Sequence, residues 1–410
     1  MRTRLLAAGL VLGLSVAACT GDDDGPLPPR PDEGAATDTP SPTVAPEADT
    51  PAAELRAAVG AGLSSHVYLL GVVTDTVVRE GSESPAVVHA QATLSDNTSM
   101  LSEIVAEAFG EEAGGRFADL WTAQIGFVVD YARSSVEGDE ALRARMEQEL
   151  LTFRDDLGAM LDELTEGVVP AETATAALEP AFEGELDVVD AQVAGGDVAA
   201  ALRETSGRMP EVADLLAGAI VVHEPDRYRD SIEVPAAQLR STFQAQLQEH
   251  VYLLWFAVDA GLRGGWTSAA TASAVATLDV NSRAIAETWG ERFGADSERA
   301  FLRAWRGHVD AFLAWAQGAR EAAEDDLEVF REGLGRIVRE ETRGVLDEER
   351  LAEELTIHTE SVLEAIDARA ADTRRATDVL RAAAGHMPVL ADVIATAIVQ
   401  RFPDVFAPDP

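Results

Sequence analysis

The sequence predicts an all-α fold of two tandem, similar helical-bundle domains, each of about six helices, preceded by a disordered stalk. The body of the chain is rich in Ala, Leu, Glu and Arg, which favour helices, and its apolar residues recur at spacings of three and four. No stretch sustains the alternation of apolar and polar residues that is typical of a half-buried strand. Matching segments also recur at a nearly constant separation, which indicates an internal repeat.

The first 18 residues predict a signal peptide. A short cationic start precedes an apolar run over residues 5–16, which is too short for a permanent membrane helix. The run ends in Val16-Ala17-Ala18-Cys19, an order that resembles the lipobox of bacterial lipoproteins. This resemblance implies cleavage before Cys19 and a lipid on its thiol. The mature chain would then be extracytoplasmic and anchored to the cell membrane.

Residues 19–51 predict a disordered stalk. Pro, Thr, Asp and Gly dominate this segment and leave little apolar surface to bury. A coil of about 32 residues reaches roughly 30 Å. No later run has eighteen consecutive apolar residues, so we expect the body to be tethered to the membrane rather than to span it. Because Cys19 is the only cysteine, the sequence excludes an intramolecular disulfide and a cysteine-based zinc site.

The charge of the chain restricts its partners. The formal net charge is −40, and every one of the 32 basic side chains is arginine. Such an acidic chain repels phosphate backbones, so the composition argues against nucleic acid as a partner. The same charge attracts cations in general.

The body of the chain reads as a duplication, with one copy over 52–223, a linker over 224–236 and a second copy over 237–404. At first the copies are separated by 184 residues; after a deletion near 133–145, which we expect to be a loop, the separation is 177 and then 178. The matches include the segments at 66–70 and 250–254 (HVYLL), Phe117 and Phe301, Trp121 and Trp305, and Met209-Pro210 and Met387-Pro388.

The second copy predicts six helices with short connections, which implies antiparallel neighbours in a bundle. Pro388 lies within the last of them, where we expect a kink or a break. The predicted helices span 237–263, 267–293, 296–320, 322–343, 347–371 and 373–401.

Four polar residues lie near the middle of separate helices in the second copy: His250, Asn281, His308 and His358. In an up-and-down bundle of similar helix lengths, such positions share one cross-sectional level. The first copy keeps His66 and Asn97 but has Gln124 in place of His308 and Ala181 in place of His358. The second copy therefore holds the complete layer, and the first a degenerate one.

This layer has three possible interpretations. Buried polar groups need partners, so the layer could be a hydrogen-bonded network that fixes the register of the bundle. It could instead hold a small ligand or a divalent transition metal such as Zn, Cu, Fe or Ni, with His250, His308 and His358 as ligands. The side chains could also lie apart. The carboxylate-rich Glu-x-x-His pattern of di-iron bundles is absent.

The second copy resembles a family of exported, mostly uncharacterised helical proteins of Gram-positive bacteria. The resemblance rests on a short set of residues: His250-Val251, Asn281, His308, His358, Leu390-Ala391-Asp392 and Phe402-Pro403. It implies a helical bundle but no established activity.

No catalytic signature such as GxSxG, a P-loop or HExxH occurs. We therefore expect a non-catalytic binding or envelope-associated module, whose partner would be an envelope protein or a small ligand. A metal- or small-ligand-binding protein is the alternative, and a metal-dependent enzyme is a third possibility.

Overall fold

The computed structural model describes residues 50–228, 232–346, 348–372 and 374–406. Every regular element within these ranges is a helix, and none of the described residues forms a strand, which confirms the all-α prediction. The predicted signal peptide and Cys19 lie outside the described residues.

The described residues form two successive sets of helices. The first set is α1 (Pro51–Glu80), α2 (Pro85–Phe109), α3 (Glu111–Glu137), α4 (Glu140–Leu164), α5 (Ala171–Ala194), α6 (Val198–Ser206) and α7 (Met209–His223). The second set is α8 (Pro235–Gly264), α9 (Ala269–Phe293), α10 (Ala295–Ala316), α11 (Arg320–Thr342), α12 (Glu348–Ala370), α13 (Ala376–Arg401) and the single turn α14 (Pro403–Phe406).

Local sequence accounts for many helix bounds. Ser84 and Ser268 cap α2 and α9, because each side chain accepts a hydrogen bond from a backbone N–H of the first turn. Gly110 and Gly294 separate the next helices at φ of 93° and 84°, a conformation that favours glycine. The predicted bounds of the second set hold within three residues, except that α10 ends at Ala316 rather than 320.

The structure corrects two local predictions. The stretch 133–145, which we expected to be a loop, is mostly helical. Helix α3 extends to Glu137 and α4 begins at Glu140, so only a two-residue turn separates them. The additional residues lengthen α3 to 27 residues, against 22 in α10. Pro388 does not break its helix, since α13 continues from Ala376 to Arg401. Its counterpart Pro210 does lie at a break, in the first turn of α7, which is where the missing proline N–H costs least.

The described residues form one compact unit, in which the two helix sets share a core. Helix α1 packs against α8, and the rings of Tyr68 and Tyr252 stack there with centroids 4.8 Å apart. Helix α13 packs mainly on α8 but also reaches α2, while α6 reaches α9. The second set is therefore held on several sides by the first.

Two of the described helices, α1 and α13, are long and apolar enough to cross a membrane by length and composition alone. In the fold, however, 83% of the most apolar window of α1 and 61% of that of α13 is buried against other helices. A helix surrounded by neighbours is apolar on most of its faces, so burial in the core accounts for this composition.

Candidate metal centre

Three histidines from three helices meet in the core of the second set. His250 lies on α8, His308 on α10 and His358 on α12, and each is fully buried. The apolar stripes of these helices carry them inward. On α10 the buried stripe is Phe301, Trp305, His308, Phe312 and Trp315, with the spacing of three and four that marks one helix face.

The three imidazoles are close enough to share one ion. Their ring centroids are separated by 5.0 Å between His250 and His308, 5.8 Å between His250 and His358, and 5.7 Å between His308 and His358. One nitrogen from each ring can be chosen so that all three lie within 4.8 Å of one another. Among the described residues this is the one group of three or more His, Cys, Asp or Glu side chains with such spacing.

The hydrogen bond of His308 defines its proton position. Its Nδ1 contacts the backbone carbonyl oxygen of Trp305, which only accepts, so Nδ1 carries the proton. A neutral His308 therefore has its lone pair on Nε2, which can accept a hydrogen bond from Nε2 of His250 at 3.2 Å. An N–H to carbonyl bond of this kind is how proteins commonly orient a metal-binding histidine.

Several polar atoms of the cluster lack a partner although they are buried. Both ring nitrogens of His358, Nδ1 of His250 and the indole N–H of Trp305 have no hydrogen-bond partner. A buried polar group left unpaired costs about 1–3 kcal/mol. Hydrogen bonds among the described residues therefore leave this cluster unsatisfied, most of all at His358.

Burial keeps the three imidazoles uncharged. Desolvation, and then repulsion from His358, holds the pKa of His250 well below its usual value. Desolvation, followed by repulsion from His250 and His358, does the same to the pKa of His308. For His358, desolvation and then repulsion from His386 lower the pKa to about 3. Neutral imidazole is the form that binds metals, so the three side chains fit a metal at neutral pH.

The surroundings of the cluster are aromatic rather than acidic. Phe330 stacks on the ring of His308 at 4.2 Å, and the Trp305 ring lies 4.5 Å from it. The carboxylate of Glu354 lies one turn before His358 on α12, and it pairs with Nε2 of His386 at 2.8 Å. The sequence did not single out this Glu354–His386 pair.

Asn281 contacts the backbone of a neighbouring helix rather than the histidines. Its amide nitrogen donates to the carbonyl oxygen of Gln246, one turn before His250, at 2.9 Å. In the first set, Asn97 donates in the same way to the carbonyl oxygen of Gly62 at 3.0 Å. Both asparagines therefore join the second helix of their set to the first. Of the four residues expected in the layer, the structure brings the three histidines together.

The first set has a different polar cluster at the corresponding place. His66 is fully buried with Nε2 at 3.4 Å from Oε1 of Glu185, and Gln124 donates from its amide to Oε2 of the same carboxylate. Burial is the main reason that the pKa of Glu185 is raised. Ala181, the counterpart of His358, is buried but has no polar atom to offer.

The indole of Trp121 fixes the tautomer of His66. It donates to Nδ1 of His66 at 3.0 Å, so a neutral His66 carries its proton on Nε2, toward Glu185. That nitrogen has no lone pair for a metal, so the first cluster fits a hydrogen-bonded network. The rings of Trp305 and His250 are placed in nearly the same way, with centroids 5.1 Å apart and planes at 63°, against 5.0 Å and 65° for Trp121 and His66. The indole N–H of Trp305 nevertheless makes no hydrogen bond.

The sequence analysis did not predict Glu185 as a site residue, because the matching position in the second set is the apolar Val362. The available signal was a carboxylate within the otherwise apolar stripe of Leu178, Phe182, Val188 and Val189 on α5. A charged residue on a buried helix face needs a partner, and this argument could have indicated His66.

The fold and the site together define an all-α protein with a buried cluster of three histidines. Comparisons with protein-family models, with curated proteins and with solved structures gave no match.

Proposed function

We propose that this chain is a lipid-anchored, extracytoplasmic protein that binds a transition-metal ion through His250, His308 and His358. The observation that carries the proposal is His358, whose two ring nitrogens are fully buried and without a hydrogen-bond partner. One of these nitrogens lies within 4.8 Å of nitrogens from the other two rings. A shared ion would pair atoms that are otherwise costly to bury.

The first helix set offers a direct contrast to this cluster. There, Trp121 donates to Nδ1 of His66, a carboxylate oxygen of Glu185 lies 3.4 Å from Nε2, and Gln124 donates to the same carboxylate, as expected of a cluster that serves to fix packing. The second set has neither at the corresponding positions, where His308 replaces Gln124 and Val362 replaces Glu185. The residues that complete the network are thus exchanged for metal-binding ones.

The spacing of His250 and His308 supports direct coordination. Zinc–nitrogen bonds of about 2.0–2.1 Å at a tetrahedral angle separate two ligand nitrogens by roughly 3.3–3.4 Å. The two Nε2 atoms lie 3.2 Å apart. This pair therefore needs little rearrangement to hold an ion of this size.

Burial favours a binding role over catalysis. A catalytic metal keeps an open position that the substrate can reach. All three histidines have 0% exposed surface, and aromatic rings pack around them. We therefore propose a protein that holds or carries the ion.

We further propose that the two helix sets arose by tandem duplication. Ion pairs at equivalent positions support this. The pair Arg56–Asp214 in the first set corresponds to Arg240–Asp392 in the second. Likewise, Arg143–Asp190 corresponds to Arg320–Asp367. Tyr131 donates to Asp190, and its counterpart Trp315 donates to Asp367. One copy then kept a structural core while the other acquired the metal ligands.

The metal proposal is tested by measuring bound metal in the detergent-solubilised full chain. The wild type and the His308→Gln/His358→Ala variant are compared, because the new residues are those of the first copy at these positions. His223→Gln, at an exposed histidine, serves as the control. We expect about one ion per chain in the wild type and the control, and none in the double variant. Equal metal in all three proteins, or none in any, would overturn the proposal.

The anchor needs a separate test. We expect the full chain to fractionate with membranes and Cys19→Ser to be released from them, because two or three acyl chains hold a protein stably whereas the two most apolar helices of the body, α1 and α13, are mostly buried in its core. Identical fractionation of the two proteins would refute the lipid anchor without affecting the metal proposal.

A further inference from the structure

The donor set of the three-histidine cluster carries no negative charge. The cluster contains no Asp or Glu among the described residues, and its three ligands are neutral imidazoles. Glu354, one turn from His358, is already paired with His386. An ion bound here would keep its full charge inside the core.

Elsewhere this chain matches its buried charges with opposite or polar groups. Asp259 is 3% exposed and contacts the guanidinium groups of Arg263 and Arg369. Glu185 is likewise 3% exposed and lies against His66 and Gln124. Among the described residues, the histidine cluster includes no carboxylate that would balance the charge of a bound ion. This restricts the ions that it can accept.

The charge of the ion determines the size of the penalty. In the Born description, the cost of moving an ion out of water rises with the square of its charge, so a dication costs about four times as much as a monocation of equal radius. A site of neutral ligands within a fully buried aromatic shell thus favours a monovalent ion.

The number of ligands leads to the same result. Zinc bound by three histidines completes its shell with a water or substrate, and the three histidines here have no exposed surface at which such a fourth ligand could enter. Ni²⁺ and Cu²⁺ also prefer four or more ligands. The indole N–H of Trp305, whose ring lies 4.5 Å from that of His308, is a donor without a lone pair and cannot coordinate. Three nitrogen ligands are sufficient for copper in its monovalent state, and imidazole is a good ligand for copper.

Resting on the proposed metal-binding function, we propose that the ion is Cu(I), held by the Nε2 atoms of His250 and His308 together with one ring nitrogen of His358. The site discriminates by charge and ligand number, and rejects Zn²⁺ and Ni²⁺ because its described residues offer neither a carboxylate nor a further His or Cys as a fourth ligand.

The test is an anaerobic competition experiment on the detergent-solubilised full chain. Cu(I), generated with ascorbate, is presented with a chromogenic Cu(I) chelator, and Zn²⁺ is presented in parallel with a zinc-binding dye. The wild type, His308→Gln/His358→Ala and the control His223→Gln are compared, and circular dichroism verifies folding. If the double variant fails to fold, the single variant His358→Gln takes its place.

We expect the wild type and the control to take one Cu(I) per chain from the chelator. The double variant should bind it more than about 100-fold more weakly, because even indirect partners of a metal ligand are worth 10–100-fold. Zn²⁺ should stay with the dye in all three proteins. Zn²⁺ binding by the wild type with no preference for Cu(I) would overturn this inference but leave the metal-binding proposal standing. Failure of the wild type to bind either ion more tightly than the double variant would overturn both.

Discussion

Acid should destabilise the metal-free protein through its three buried histidines. In the unfolded chain each imidazole takes up a proton near pH 6.5. In the fold their pKa values are lowered, to about 3 for His358, chiefly by desolvation. The unfolded state therefore binds more protons between these limits, and stability falls as the pH drops below about 6.5. Above that pH the contribution of the histidines is fully present.

The size of this effect is large. At pH 5, each histidine that is neutral in the fold favours the unfolded state by about 2 kcal/mol relative to pH 7. Three such residues amount to roughly 6 kcal/mol, which is comparable to the total stability of many proteins of 5–15 kcal/mol. The His308→Gln/His358→Ala variant removes two of the three groups. Its loss between pH 7 and pH 5 should therefore be smaller than that of the wild type by about 4 kcal/mol.

Urea unfolding followed by circular dichroism at pH 7, 6 and 5, with a chelator present, measures the difference. Carboxylates titrate in the same range, but they are common to both proteins and cancel in the comparison. The exposed His223 gives a matched control, since His223→Gln should follow the wild type at every pH. Parallel loss of stability in the wild type and the double variant would show that the histidines are not buried in their neutral form.

Three further predictions concern packing and buried polar groups. Gly158→Ala should destabilise the protein by about 1–3 kcal/mol, because the new Cβ would lie 3.0 Å from the carbonyl oxygen of Ala171. At the matching position of the second set, the Cβ of Gly335→Ala would meet nothing within 4 Å, so this variant should be stabilised by up to ~1 kcal/mol. Changes of the same sign in thermal unfolding would contradict this prediction. Glu185→Leu should cost roughly 2–5 kcal/mol, because it leaves donors of His66 and Gln124 unpaired, and Glu185→Gln should cost less. Equal stability of these two variants in urea would argue against the first network. Tyr252→Phe should lower the free energy of unfolding by about 1 kcal/mol, because it loses only the hydrogen bond to Ser65. Tyr252→Ala should lower it by about 3–5 kcal/mol, because it also removes the ring stacked on Tyr68. Equal stability of the two variants in chemical denaturation would refute the stack as a stabilising contact.

The helices of this protein were predictable from the sequence because their signals are local. A spacing of three and four marked the buried face of α10, and the predicted range 267–293 lies within two residues of the bounds of α9. Pro388 shows the limit of such reasoning, because the same residue type ends a helix at Pro210 and is accommodated within α13. The outcome depends on what the neighbouring helices offer, which no local window contains.

The positions of the candidate site residues also followed from the sequence, but their partners did not. Mid-helix placement and apolar neighbours indicated that His250, His308 and His358 point inward at a similar level. The rotation of each helix about its axis, which the tertiary packing sets, decided that the three rings meet and that Asn281 contacts the backbone of α8 instead. Glu185 is intelligible only beside His66, more than a hundred residues away along the chain.

The sequence by itself therefore determined the helices, their buried faces and the residues able to bind a metal, because side-chain chemistry and helical periodicity are properties of short segments. The tertiary structure alone decided which buried groups are paired and which are not. That distinction separates the cluster around His66, where Trp121 donates to Nδ1 and a carboxylate lies near Nε2, from the cluster around His358, whose two ring nitrogens are unpaired. A hydrogen bond or a ligand set requires atoms within about 3 Å, brought together from distant helices.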